Sequence, residues 1–132
     1  MADKQQTQPN KEPKILSLDE IMAARDIEER VVPVPEWGGA VRIRGLSKAQ
    51  QSRLRSQAKV DGQPDPDRME VLMLAASLVE PAVTVEQAEA LREKAATAVE
   101  RILREVVDIN GWGEQVQKEA LKSFLAGDSG SA

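Results

Sequence analysis

The period of the hydrophobic positions changes several times along the chain, and each change predicts an element. Residues 1–14 hold Gln, Lys, Asn and Pro with almost nothing to bury, so ordering them loses entropy with little apolar return, and a flexible arm is expected. Ser17 and Glu20 then have capping-box spacing, with Leu18, Ile21 and Met22 following on one side. This predicts a short helix from about Leu18 to Ala24, which must lie on the main body because it is too short to hold alone.

Between residues 29 and 44 the period drops to two. Arg30, Val32 and Val34 alternate with Val31, Pro33 and Pro35, and Val41 and Ile43 alternate with Arg42 and Arg44, the pattern of two strands. Pro33 and Pro35 cannot donate ladder hydrogen bonds, so the first strand is expected to lie at an edge or to turn its proline sides away from its neighbour. Gly38 and Gly39 permit the positive φ of a turn, and Trp37 before them is large enough to plug the end of the hairpin. A two-stranded hairpin is marginal in water, so helices below it, another copy or a partner chain must complete it.

The helical period returns at Ser47, which with Gln50 repeats the capping spacing and predicts a helix from about Lys48 to Lys59 with a thin stripe of Ala49, Leu54 and Ala58. The stretch "DGQPDPD" (61–67) reads as an acidic linker, because the twelve-residue calcium-loop pattern is missing. Arg68 to Val79 is the most hydrophobic segment, with Leu72 and Leu78 among apolar residues on two faces, and is expected to be the central helix. Thr84 and Gln87 form a third capping pair; the apolar repeat from Ala88 to Ile109 allows one long helix or two, with a break near Lys94 and Thr97 as a weak new cap preferred. Asn110-Gly111 reads as a stop in which both residues tolerate the left-handed conformation. Trp112, then Val116, Ala120, Leu121, Phe124 and Leu125 mark a last amphipathic helix before a small polar tail.

The fold expected is therefore mainly α with one small antiparallel β-hairpin: a short N-terminal helix, the hairpin at about 29–44, then four to five packed helices. Residues 15–126 would form one domain with its helical body at 47–126, leaving a flexible tail at 127–132. Gly38, Gly39, Leu72, Leu78, Gly111 and Trp112 are the expected structural positions.

Composition narrows the chemistry. The 132 residues contain no Cys and no His, which removes thiolate nucleophiles, imidazole bases, disulfides, haem ligation and the usual structural zinc sites. Carboxylate catalysis needs two acids with separated pKa values, and nothing in the spacing of Glu28, Glu29, Glu86, Glu89 or Glu93 singles out such a pair; the glycine pairs lack a phosphate-cradle motif. An enzyme is not expected, nor is a cofactor. The longest apolar run, near Val71 to Val79, is far too short to span a bilayer, and the first residues do not read as a signal peptide, so a soluble intracellular product is expected.

Charge supplies the candidate surface. The net charge is −4, yet Arg42, Arg44, Lys48, Arg53, Arg55 and Lys59 fall between Trp37 and Val60 with no acid among them. A local basic block on an acidic molecule suits docking to an acidic protein surface better than nucleic acid, which draws on a wider positive footprint. Trp37 reads equally as an interface anchor or a core plug.

The "VPVPEWGGAVRIRGLS" ribbon, in particular Pro35, Glu36, Trp37, Gly38, Gly39, Val41 and Arg44, resembles the tail assembly chaperones of long-tailed bacteriophages and prophages, as does the order of elements from "LSLDEIMAARDIEER" to "DINGWGEQVQKEALKSF" with its Phe124 ending. The likeness covers about residues 15–126. It implies a non-enzymatic protein of the host cytoplasm, absent from the finished virion, that coats the aggregation-prone tape measure protein and recruits tail tube protein, in many relatives through a frameshifted longer product. Homo-oligomers are compatible with that role. Arg42, Arg44, Arg53 and Arg55 would then orient the partner, with Trp37, Leu54 and Phe124 supplying apolar contact. A virion connector protein and a small DNA-associated regulator are the other readings.

Overall fold

A computed structural model describes residues 12–112. Its elements, in chain order, are α1 (Leu18–Ala23), β1 (Glu29–Val34), a 3-10 turn (Pro35–Trp37), β2 (Gly39–Arg44), α2 (Lys48–Gln57), β3 (Lys59–Val60), β4 (Gln63–Pro64), α3 (Pro66–Ser77), β5 (Leu78–Glu80), α4 (Val85–Leu91) and α5 (Ala96–Ile109). The fold is mainly α with a hairpin, as the periodicity predicts. The expected last helix, with Phe124, the expected flexible tail at 127–132 and all of the expected arm at 1–14 except residues 12–14 lie outside the described residues.

All three capping boxes form. Ser17, Ser47 and Thr84 accept the backbone N–H groups of Glu20, Gln50 and Gln87, whose side chains accept in return from the cap N–H. Each box satisfies two donors that the helix ladder leaves free. At α3 the supposed linker does the capping: Asp65 accepts from the N–H groups of Asp67 and Arg68, and Pro66 opens the helix at a position where its missing N–H is harmless. Asp61 and Gly62, with φ of 53° and 76°, make the tight turn between β3 and β4, so α2 stops at Gln57 and Lys59 belongs to a strand. The Asp-Gly dipeptide signals such a turn in sequence.

The β1–β2 hairpin is antiparallel, pairing Glu29 with Arg44 through Val34 with Gly39. Its turn needs only one glycine: Gly38 takes φ 74° and donates its N–H to the Pro35 carbonyl at 3.1 Å, whereas Gly39 starts β2 with no positive φ. The ribbon is completed from within the chain. Leu78–Glu80, of which Leu78 and Val79 were expected to end the central helix, forms a third strand on β2, giving the order β1-β2-β5. Leu78 is buried from this strand and not from a helix, because α3 reaches its C-cap there with extended backbone. β1 remains an edge, as its prolines require.

Val32, Val34, Val41 and Ile43 on the inner face of the sheet join one core with Leu54, Leu72, Leu74 and Leu78. α5 covers that inner face, and α3 lies against α2, α4 and α5. Four consecutive residues of α3, Val71 to Leu74, are buried, so this helix is covered around most of its circumference and is the spine expected. α5 instead buries one stripe of Ala98, Val99, Ile102, Leu103 and Val106, the spacing of an amphipathic helix. The break between α4 and α5 falls where the sequence places it, but Ala95 is the cap, without a side-chain bond, and Thr97 lies inside α5.

α1 departs from expectation. It buries no residue, although a helix this short was expected to rest on the body. Local bonds hold it: the Ser17–Glu20 box, and Lys14, whose ammonium donates to Glu20 at 2.5 Å and is the main cause holding that carboxyl below its ordinary value.

Candidate partner-docking surface

The arm around α1 carries an apolar surface that is exposed among the described residues. Ile15 is 90% exposed, Leu18 71%, Ile21 51% and Met22 75%, with Leu16 and Ile27 also open. Leu18, Ile21 and Met22 stand at i, i+3 and i+4, one face of a helix, and Asp19 and Glu20 flank that stripe. A six-residue helix that buries no residue is marginal in water, and its exposed apolar face is a candidate contact surface. The sequence carries this stripe in plain view; the expectation that it packs at home hid its exposure.

A groove of about 360 Å³ runs between α2, α3 and the segment leading into α4. Its floor is Leu54, Leu72, Ala75, Ala76 and Val83, and Gln50, Arg53 and Gln57 stand along the α2 side. Among the described residues no Asp or Glu lines it. Val83 and Val85 were not singled out in sequence because the β-branched "VTV" stretch carries no helical period.

The basic block divides. Arg42 donates from Nε to Glu80 across the sheet at 2.8 Å, a pairing that raises its pKa above the ordinary arginine value. Arg44 lies on the outer face of the sheet, half-buried and opposite Glu29 in the register. Arg53 borders the groove, while Arg55, two residues on and therefore turned to another side of α2, lines a separate apolar pocket with Ala58, Lys59 and Met69. The four arginines do not form a single patch, because β2 and α2 present them on different faces.

The apolar candidates also separate. Leu54 is 4% exposed, a core residue that reaches the groove floor and not a projecting anchor. Trp37 is half-buried against the core at the 3-10 turn, as is Trp112 near the end of α5. Gly111 takes φ 74° at the α5 stop, whereas Asn110 keeps φ −91° and works through its side chain. Phe124 lies outside the described residues.

Ion pairs brace the ribbon on α5. Arg30 donates to Glu105 and Asp108, each at 2.8 Å, and to Glu28 at 3.2 Å, and these carboxylates raise its pKa further. Glu36 accepts from Arg101, with help from Thr97, and its carboxyl falls from the ordinary 4.5 to about 2. Among the described residues no group of three or more acids is placed to hold a metal ion, and no helix is long and apolar enough to cross a membrane. Comparison with known protein families, with curated proteins and with solved structures gives no match.

Proposed function

We propose that this protein is a non-enzymatic tail assembly chaperone of a long-tailed bacteriophage or prophage, which binds and solubilises the tape measure protein and helps recruit tail tube protein. The observation that carries the reading is the groove over Leu54, Leu72 and Val83, with Arg53 at its border and no acid among the described residues that line it. A helical client lays an apolar stripe into such a groove, and acids beside that stripe meet Arg53. A tape measure protein exposes long apolar stripes until the tube encloses it, and many small chaperones mask them reversibly. The work takes place in the host cytoplasm, and the chaperone leaves before the virion is complete.

The support is the resemblance of the Pro35–Arg44 ribbon together with a surface suited to helix binding. Co-expression with the tape measure gene tests the reading: the otherwise insoluble tape measure protein is expected in the soluble fraction as a complex. Recovery of that protein only in inclusion bodies, with the chaperone soluble alone, overturns it.

A further inference from the structure

We infer that the C-terminal segment at residues 113–125 docks as a helix on the apolar stripe of the α1 arm in the same chain, so that the two ends of the protein close on each other as a clasp. This holds whatever client the protein binds.

The two segments leave the body at one corner. The carbonyl of Glu28, where the arm begins, accepts the Gly45 N–H at 2.9 Å, and the Asn110 side chain accepts the N–H of the next residue, Leu46, at 2.8 Å. A Cβ on Gly45 would lie within 4 Å of Glu28, Ile109 and Asn110 alike. Gly111 ends α5 there with φ 74°, and Trp112 is the last described residue. Residues 113–125 therefore start beside the root of the arm. The lengths agree as well. The stretch from Glu28 out to Met22 reaches at most about 20 Å when extended, and a helix over 113–125 also spans about 20 Å.

Hydrophobic pattern and charge select the arm as the host. Val116, Ala120, Leu121, Phe124 and Leu125 recur at helical spacing, and such a stripe docks where it removes the most apolar surface from water. Leu18, Ile21 and Met22 are 71%, 51% and 75% exposed, whereas Met73 and Leu103 on the neighbouring α3–α5 face are already down to 7% and 8%. Lys118 and Lys122, four residues apart, flank the C-terminal stripe on one side, with Glu119 on the other. Residues 15–29 hold Asp19, Glu20, Asp26, Glu28 and Glu29 against Arg25 alone, so the favoured register sets the lysines beside Asp19. Neither segment has the length that holds a lone helix in water, and each supplies the face that the other lacks. A partner that binds the arm must first displace residues 113–125, which makes the clasp a removable cover over the stripe.

The absence of cysteine keeps the test clean. Met22→Cys/Leu121→Cys in one full-length chain is expected to close an internal disulfide on mild oxidation roughly tenfold faster than Gln57→Cys/Leu121→Cys, which reports docking in the groove between α2 and α3. Hydrogen exchange adds a readout without thiols. The amides of Ile21 and Ala24, bonded to the carbonyls of Ser17 and Ile21, are expected to exchange roughly tenfold more slowly in the wild type than in Leu121→Asp/Phe124→Asp. The α3 amides are expected to keep their rates in both, which shows the body folded, and dilution is expected to change neither. Equal arm rates in wild type and variant mean an open arm, protection lost on dilution means a second copy as the cover, and faster closure of the Gln57→Cys pair places the segment in the groove; each result overturns the inference. Solubility of the tape measure protein enters none of these measurements, so the two proposals fail separately.

Discussion

The side-chain carbonyl of Asn110 accepts the backbone N–H of Leu46 at 2.8 Å, joining the end of α5 to the start of α2. The same oxygen takes a second bond from Gln51 at 3.3 Å, while the amide nitrogen donates back to the Val106 carbonyl at 2.8 Å. Leu46 is buried, so its N–H depends on this bond in place of water. Asn110→Ala leaves that N–H without its partner and is expected to destabilise the fold by about 1–3 kcal/mol. Urea unfolding checks this, with a lowered midpoint and an unchanged slope as the expected result.

Ser77 has the opposite sign. Its hydroxyl is fully buried at the end of α3 with no hydrogen-bond partner among the described residues. Ser77→Ala removes the desolvated oxygen and raises helix propensity, so the variant is expected to be more stable by roughly 1 kcal/mol, a rise of several degrees in Tm. Differential scanning calorimetry decides; a lower Tm refutes the prediction.

Gly38 and Gly39 separate turn geometry from mere small size. A Cβ meets nothing within 4 Å at either position, but only Gly38 has a positive φ. Gly38→Ala is therefore expected to lose about 1 kcal/mol through left-handed strain. Gly39→Ala is expected to be neutral or slightly stabilising. Equal losses in the two variants, measured by thermal unfolding, count against this assignment.

Glu36 makes stability depend on pH. Arg101 is the main cause that brings its carboxyl from the ordinary 4.5 down to about 2 in the folded chain. Because the folded value is the lower one, the unfolded chain binds the proton first as pH falls, and the contribution is complete above about 4.5 and lost through about 2. In fixed urea the wild type is expected to lose stability between those values more steeply than Glu36→Gln, with the two curves converging at the acid end. Parallel curves across that window rule out the pairing as a source of pH dependence.

How far these features were legible in sequence follows from the range of the interactions behind them. Capping boxes at Ser17, Ser47 and Thr84 are local, three residues long, and all three form. The β1–β2 alternation was equally plain. The third strand was not: Leu78 and Val79 continue the apolar pattern of α3, and only pairing with β2, more than thirty residues away in the chain, makes them extended. For the candidate surface, the arginine cluster was visible as composition, but its division depended on distant partners such as Glu80. The α1 stripe was visible and misassigned, because periodicity locates an apolar face and does not say what covers it.

The division of the basic block gives the last expectation. Arg42 is held by Glu80 and stands on the sheet, whereas Arg53 borders the groove between α2 and α3. If the groove takes the tape measure helix, Arg53→Glu places a like charge against the client's acids, and recovery in a pull-down is expected to fall about fivefold to tenfold at low salt. That loss narrows as ionic strength rises, since an exposed charge is screened over about 10 Å at 0.1 M. Arg42→Gln is expected to leave recovery unchanged, because its guanidinium already serves a cross-strand bond. Thermal melts of both variants separate binding from folding. A loss at Arg42 equal to that at Arg53, with both chains folded, moves the client from the groove to the outer face of the sheet.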